Sequence, residues 1–308
     1  MRNVSSIAAC LAAIAACLVS TRSFAECRLR VMAEFPVTMV ANQAVVVAQI
    51  DGADVPMVLD NGATFSLLSY AAAAKLHLAR QSPSGHPVIQ GVGGAGGTGR
   101  LFAYVVANVR LGGARISDAK LIVSDLRVGG PVAGFIGRDI LDDYDLDYDL
   151  PRRVIKLVRP KGCRDVAPVY WAGSRPYSAV GVAHDGASPT VIGHVNGVEI
   201  RVMFDTGASS TILDIHAAGR AGLTSKSAGS VASGTISGVA GRSTKTWAVP
   251  IAGLELAGEE IHNTHLRIGD LSLPQVDMVV GSDFLRSHHV YFANSQRRVY
   301  FTYEGGPV

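Results

Sequence analysis

Two stretches of the sequence place an aspartate after an apolar pair and one residue before a Gly-Ala step. Residues 58–68 read VLDNGATFSLL, and residues 203–213 read MFDTGASSTIL. The pattern changes directly after the aspartate, where Asn61 stands in the first stretch and Thr206 in the second. Either one chemical site is written twice, or one stretch works and the other is a relic.

The chemistry that these residues offer is that of paired carboxyl groups. Two carboxylates about 3 Å apart cannot both ionise easily, so they share one proton. The ionised member can act as general base on a water molecule, while the protonated member donates to an amide carbonyl oxygen. Asp60 and Asp205 are the candidates for such a pair, and Gly62 and Gly207 would let the backbone turn tightly beside them.

The elements that must position these aspartates are repeated along the chain. Asp60 and Asp205 lie 145 positions apart. Other segments align in the same order, at this offset or one slightly shifted: SYAAAAKLHL (69–78) with DIHAAGRAGL (214–223), GVGG (91–94) with GVAG (238–241), and FIGRDIL (135–141) with VVGSDFL (279–285). This colinear order predicts two homologous domains.

Composition and pattern predict strands in both halves. Gly is abundant, at 34 residues, and the chain is rich in Val, Ile and Thr separated by Gly pairs. Each half is predicted to lead through two strands to its aspartate and a short Ala-rich helix. A Gly-rich hairpin, further strands, an apolar-apolar-Gly segment and a last strand follow.

The apolar-apolar-Asp-Thr-Gly-Ala-Ser motif resembles the active-site signature of aspartic proteases of the retropepsin-like group, and the later apolar-apolar-Gly segment resembles their second hallmark. The resemblance covers nearly all of the chain after residue 25, twice. It implies a mainly β fold of two homologous retropepsin-like β-barrel lobes, related by a pseudo-twofold axis and each with one short helix. It also implies an aspartic-type endopeptidase that acts on a peptide or protein substrate without a cofactor.

The resemblance assigns roles residue by residue, beginning with Asp60 and Asp205 as the catalytic dyad. The other implied residues are the active-site loops Asn61, Gly62, Thr206 and Gly207, the flap residues Gly91, Gly93, Gly94, Gly238 and Gly241, and the supporting apolar-Gly motif Ile136, Gly137, Val280 and Gly281. In the family, the Thr after each Asp bonds the opposite loop. Thr206 can do so, whereas Asn61 departs from the pattern. Our hypothesis is therefore one site to which both motifs contribute, with unequal cross-lobe hydrogen bonds between the two loops.

Two other functions stay open at this point. The cleft could belong to a catalytically inactive, peptide-binding pseudoprotease. Alternatively, only the second lobe could be competent, and two chains could pair through it in a homodimer. The DNG of residues 60–62 is also a strong hairpin-turn signal, which leaves a purely structural first motif open as well.

Other chemistry-bearing patterns are weaker. Gly91, Gly93 and Gly96 match G-x-G-x-x-G, but strand-like LFAYVV follows where a dinucleotide site requires a helix, so a flap hairpin is the better interpretation. The histidine pairs at 262/265 and 288/289 lack the carboxylate cluster or helix register of a zinc site. The acidic run DILDDYDLDYDL lacks the loop of a calcium site and is interpreted as a polar strand edge, so no metal is predicted.

Residues 1–25 have the pattern of an export signal. Arg2 precedes an apolar run from Ile7 to Val19, and Ser23-Phe24-Ala25 forms a small-x-small cleavage site. The alternatives are an uncleaved anchor and a lipoprotein signal ending at Cys17. We predict soluble export, to a periplasmic or secreted location.

Removal of this segment would leave a nearly neutral chain with two cysteines. Loss of Arg2 and Arg22 lowers the formal net charge from +3 to +1, which argues against nucleic acid or an anionic membrane surface as partner. Cys27 and Cys163 form an even pair in an oxidising compartment, which suggests one disulfide, with two free thiols as the alternative.

The rest of the chain is predicted to divide into an N-terminal lobe (26–158), an interlobe linker (159–184) and a C-terminal lobe (185–308). The linker segment holds several Pro and Gly and no strong period. A duplicated chain can build a two-aspartate site alone. The resemblance therefore implies a monomer with an intramolecular pseudo-dimer. We expect no stable membrane insertion after removal of the signal.

Overall fold

A computed structural model of the protein describes residues 26–81, 88–91, 97–100, 103–124, 130–183, 189–237 and 243–307. The predicted export signal, residues 1–25, lies outside the described residues. The first half of the chain contains β1 (Arg28–Pro36), β2 (Thr38–Val40), β3 (Gln43–Ile50), β4 (Ala53–Leu59), β5 (Leu67–Ser69), α1 (Tyr70–Lys75), β6 (Val88–Gly91), β7 (Gly97–Arg100), β8 (Ala103–Leu111), β9 (Ala114–Ser124), β10 (Gly134–Ile136), α2 (Arg138–Leu141), β11 (Asp145–Asp149) and β12 (Val154–Lys161).

The second half repeats this series. It contains β13 (Ser178–Gly181), β14 (Val191–Val195), β15 (Val198–Phe204), β16 (Ile212–Asp214), α3 (Ile215–Arg220), β17 (Val231–Ser237), β18 (Ser243–Leu256), β19 (Glu259–Gly269), β20 (Met278–Val280), α4 (Ser282–Leu285), β21 (His288–Ala293), a 3-10 turn (Asn294–Gln296) and β22 (Arg298–Tyr303).

Each half closes into a six-stranded β-barrel. In the first, the order β3-β4-β10-β5-β9-β8 is closed by pairing of β3 with β8, and β2 extends the sheet beside β3. In the second, the order β14-β15-β20-β16-β19-β18 is closed by pairing of β14 with β18, and β17 extends it. Alternate side chains such as Val105, Leu121 and Leu254 fill the interiors. The mainly β, two-lobed fold is confirmed.

A third sheet joins the two barrels. Its order is β1-β12-β11-β21-β22-β13, with β11 and β21 antiparallel at its centre. Both halves therefore contribute three strands to one sheet. The segment predicted as a linker supplies β13, which pairs with β22, and Trp171, which packs on Tyr291 and His289.

One detail of the predicted fold is wrong, since the described residues of each lobe form two short helices and not one. The additional helices are α2 and α4, which directly follow the apolar-Gly motif. Leu141 N donates to Gly137 O over 2.9 Å, and Leu285 N donates to Gly281 O over 3.1 Å. A helix of four residues is too short to produce a helical period in the sequence, which is why the pattern missed both.

The interpretation of the acidic run as a polar strand edge is also wrong. Its core is β11, an inner strand of the shared sheet, in which Asp145, Asp147 and Asp149 are all buried. Asp147 is hydrogen-bonded to His289 and to Tyr170, and their contacts hold the pKa of its carboxyl below its usual range despite burial. Buried charge is tolerated here because it is paired.

None of the helices in the described part of the chain is long and apolar enough to cross a membrane. Within the same residues, no group of three or more His, Cys, Asp or Glu side chains is arranged to hold a metal ion.

We expect mass spectrometry to find Cys27 and Cys163 joined. A disulfide connects them across the antiparallel pair β1 and β12, closing a separation of 136 residues. Such a cross-link stabilises the folded state by about 2–4 kcal/mol. Peptide mapping after alkylation without reductant should recover the two cysteines as one linked peptide pair. Recovery of both as alkylated thiols would contradict it, and a Cys27→Ala/Cys163→Ala variant should unfold at lower temperature.

Candidate active site

Asp60 and Asp205 lie at topologically equivalent points of the two barrels. Asp60 follows β4 and Asp205 follows β15, each directly beyond a buried strand. Asp60 N donates to Ile136 O over 2.8 Å, and Asp205 N donates to Val280 O over 2.9 Å. The parallel pairs β4–β10 and β15–β20 thus hold both aspartates in the same way.

Each carboxyl group is oriented by its own loop. Asp60 Oδ1 accepts from the amides of Gly62 and Ala63, both over 2.9 Å. Asp205 Oδ1 accepts from the amide of Gly207 over 2.9 Å and from the next amide, of Ala208, over 3.1 Å. One oxygen of each carboxyl is therefore fixed by the backbone, and the other is left for the opposite group.

The two carboxyl groups meet across the interface between the lobes. They interact directly, and each also lies against the glycine of the opposite loop. A Cβ atom added to Gly62 would stand 2.5 Å from Asp205 Cγ, and one added to Gly207 would stand 2.4 Å from Asp60 Cγ. Only glycine permits this approach, which explains why a glycine stands two residues after the aspartate in both motifs.

Burial sets the protonation of this pair. Asp60 and Asp205 are 7% and 9% exposed. Burial raises the pKa of Asp60 well above its ordinary value, and the negative charge of Asp205 raises it further. Burial also raises the pKa of Asp205, against the backbone amides that stabilise its ionised form. The pair therefore retains a proton at a pH where separate aspartates would both be ionised.

Thr206 makes the cross-lobe hydrogen bonds expected of it. Its Oγ1 accepts from Asn61 N over 3.0 Å and donates to Leu59 O over 2.7 Å. The side chain is fully buried. The hydroxyl thus joins the second active-site loop to the strand end that carries Asp60.

Asn61 bonds the opposite loop by a different atom. Its Oδ1 accepts from Thr206 N over 2.9 Å and lies 3.2 Å from Thr206 Oγ1. The cross-lobe connection is thereby retained, but the two sides are not equivalent. The hairpin-turn alternative for this motif is wrong, because β10 lies between β4 and β5 and pairs with both.

The apolar-Gly motif supports the loops from behind. Gly137 N donates to Ser66 Oγ over 2.9 Å, and Gly281 N donates to Thr211 Oγ1 over 3.1 Å. A Cβ on Gly137 would approach the backbone of Phe65 to 2.6 Å, which a larger residue could not do without displacing the loop. The close passage predicted for this glycine is therefore present.

Sequence reasoning missed four polar residues that brace these loops. Ser66 Oγ donates to Asp139 Oδ1 over 2.7 Å, and Thr211 Oγ1 donates to Asp283 Oδ1 over 2.6 Å. The signal was in the repeat, since FIGRDIL and VVGSDFL both place an aspartate two residues after the glycine. A hydroxyl between a backbone amide and a carboxylate satisfies both groups in each lobe.

Two further side chains from the first lobe reach the second loop. Gln43 Nε2 donates to Gly207 O over 2.6 Å, and Asn42 Nδ2 donates to Ser209 O. Asn42 has φ of 63° in the turn before β3, a conformation that asparagine adopts readily. No spacing rule points to these contacts, because they depend on how the two lobes face each other.

The predicted flap of the first lobe is a hairpin. β6 and β7 pair antiparallel, with Gly91 opposite Gly97. A strand at Gly97–Arg100 stands where a dinucleotide site would need the start of a helix. Gly93, Gly94, Gly238 and Gly241 lie outside the described residues.

The adjacent histidines His288 and His289 stabilise the fold. His288 is stacked on Phe284 with ring centroids 3.7 Å apart and is hydrogen-bonded through Nε2 to Glu259. His289 is stacked on Trp171 and bonded to Asp147. Both side chains are buried and hydrogen-bonded.

Comparison with known proteins adds family matches to this geometry. Residues 46–140 match the family model described as "Aspartyl protease", and residues 191–287 match the one described as "gag-polyprotein putative aspartyl protease". Each match contains one of the two aspartates. No curated protein sequence matches the chain.

Among solved structures, the crystal structure of an aspartic proteinase from Irpex lacteus is similar with a TM-score of 0.57. The identity is 12%, and the alignment covers 90% of this chain and 97% of the other. At this identity the similarity establishes the fold. With an aspartyl protease model matching each half and the fold of an aspartic proteinase over the whole, the chain belongs to the aspartyl protease family, with two tandem lobes in one chain.

Proposed function

We propose that the chain is an aspartic-type endopeptidase that hydrolyses peptide bonds with a water molecule activated between Asp60 and Asp205. The observation that carries the proposal is the direct approach of two buried carboxyl groups, each oriented by its own loop. The ionised member removes a proton from water, and the protonated member donates to the scissile carbonyl oxygen. Because the pair titrates as a unit, these roles belong to the dyad.

The substrate of this site is an extended peptide or protein segment. The β6–β7 hairpin, which includes Gly91, is suited to cover such a segment through main-chain hydrogen bonds. Since both carboxyl groups come from one chain, the working unit is a monomer with an intramolecular pseudo-dimer. We further propose export to the periplasm or medium, which the Cys27–Cys163 disulfide supports. Neither nucleic acid nor a membrane is a partner in this proposal.

The alternatives are an inactive peptide-binding pseudoprotease and a homodimer that uses only the second lobe. Active-site titration beside a measurement of molecular mass in solution separates them. One functional site per monomer supports the proposal, and one site per dimer supports half-site use. Peptide binding without turnover at any pH identifies a pseudoprotease.

We expect Asp60→Asn and Asp205→Asn each to abolish hydrolysis, with a loss of at least about 100-fold in kcat/KM, because neither carboxyl can replace the other in acid–base catalysis. Asp118→Asn, at an exposed position of β9 in the first lobe, is the matched control and should retain activity. Comparable cleavage by either dyad variant, with contaminating protease excluded, would show that the site does not use two aspartates.

The raised carboxyl pKa values predict a decline in both activity and stability as pH rises. The folded pair retains a proton that the unfolded chain has already lost above the ordinary aspartate pKa of about 3.9. The unfolding free energy should therefore fall with rising pH until the shared proton leaves the folded state. Activity should fall where this decline in stability ends, because the general acid is lost when the shared proton leaves the folded state. Parallel kcat/KM and chemical-denaturation profiles test this, and Asp60→Asn should remove that component of the stability profile.

Restoring the family residue should leave the site working. Asn61→Thr should retain or raise kcat/KM, because a Thr hydroxyl can make a cross-lobe bond like that of Thr206, and one net hydrogen bond is worth about 0.5–1.5 kcal/mol. Asp60→Ala, measured beside it, should destroy activity. If Asp60→Ala cleaves as well as the parent, the first motif is a relic.

A further inference from the structure

The backbone carbonyl that precedes Asp60 is held by two hydroxyl groups. Leu59 O accepts from Tyr148 OH and from Thr206 Oγ1. Tyr148 is fully buried in the centre of the shared sheet and also interacts with the Thr206 hydroxyl. The strand end that presents Asp60 is thus tied to the sheet on one side and to the opposite lobe on the other.

The equivalent point before Asp205 lacks both hydroxyls. The repeat aligns Tyr148 with Phe292, and the register of β11 on β21 agrees, with Leu146 opposite Phe292 and Tyr148 opposite Val290. Phe292 carries no hydroxyl, and Asn61 stands in the place of Thr206. Among the described residues, no side-chain hydroxyl donates to Phe204 O.

A cavity of about 40 Å³ adjoins these residues, and its lining includes Asn61, Phe204 and Phe292. The ring of Phe292 lies 6.2 Å from that of Phe204 and meets the Tyr148 ring edge-on at 5.7 Å. This volume exceeds the roughly 10–15 Å³ that one water molecule requires, so the space beside Phe292 is large enough for one added oxygen atom. The two residues that differ between the halves, Asn61 and Phe292, therefore border the same cavity.

We propose that Tyr148 is a positioning residue that fixes the Asp60 loop through the Leu59 carbonyl, whereas Asn61 and Phe292 leave the corresponding point beneath Asp205 unbraced. The carbonyl before Asp60 therefore has two hydroxyl donors that the carbonyl before Asp205 lacks, while Gln43 and Asn42 hold the second loop further along, at Gly207 O and Ser209 O. The inference deepens the proposed function and rests on it for its kinetic consequence. Its structural part stands on the hydrogen bonds alone.

The competing explanation is that Tyr148 only fills the core. A buried tyrosine hydroxyl usually finds a partner, and Leu59 O could be merely a convenient acceptor. The two explanations differ in which amides respond when the hydroxyl is removed. A packing role affects stability generally, whereas a positioning role affects the loop that follows Leu59.

Amide hydrogen exchange of the full protein gives a readout that needs no activity. The amides of Gly62 and Ala63 form the same bonds to Asp60 as those of Gly207 and Ala208 form to Asp205. We expect Tyr148→Phe to speed exchange of the first pair about 2- to 13-fold, the equivalent of one hydrogen bond, and to leave the second pair unchanged. Equal acceleration of both pairs, or no acceleration of the first, overturns the proposal.

Phe292→Tyr is the matched variant on the other lobe. It should slow exchange of the Gly207 and Ala208 amides and leave the first loop unchanged, since a cavity adjoins Phe292 and can take an added oxygen atom. Unchanged exchange at Gly207 and Ala208 in a folded variant counts against the proposal. If the variant does not fold, the cavity is not the counterpart of the Tyr148 site, and that claim is refuted.

Kinetics separate this inference from the proposed function. Tyr148→Phe should lower kcat about 2- to 13-fold with KM unchanged, because one hydrogen bond to the positioning carbonyl is lost. A parent that cleaves no peptide refutes the proposed function but leaves the exchange result standing. Full activity in Tyr148→Phe, with the parent active, refutes the positioning role alone.

Discussion

The close approach of two buried carboxyl groups is the constraint on which the rest of the structure depends. Like charges in a poorly solvated site repel strongly, so the lobes would separate or the carboxyls turn away unless other contacts held them. Gly62 and Gly207 remove the side chains that would intervene. The cross-lobe bonds of Thr206 and Asn61 then hold the two loops together, and the shared proton removes most of the repulsion.

The shared sheet supplies the rigid support for this arrangement, and its two faces have different tasks. On β11, Leu146 and Tyr148 belong to the main hydrophobic core, and Tyr148 bonds the strand that ends at Asp60. Asp145 and Asp147 alternate with them on the other face, where Tyr291 and His289 from the second half hold them. The charges thus bond the two halves of the chain to each other. Removing one partner would leave a buried charge unpaired.

Much of the fold and of the candidate site could be predicted from the sequence, because each feature occurs once in each half of the repeat. The dyad, the two glycines and the apolar-Gly motif recur at nearly one offset, so the weak first motif is supported by the strong second one. Features that occur once were out of reach. Gln43 contacts Gly207 only because the lobes face each other. The buried aspartates of β11 look like an exposed strand, since their partners follow some 140 residues later.

The departures from symmetry are as informative as the repeat. Strict equivalence is kept where atoms must meet, at the carboxyls and at the glycines against which they lie. Equivalence is lost directly behind the carboxyl groups. There Asn61 takes the place of a Thr, and Phe292, which has no hydroxyl, is the equivalent of Tyr148. The chemistry explains why this is tolerated. A dyad that shares one proton always has one acid and one base, so its two halves are never in the same state, and the supports of the two loops are free to diverge.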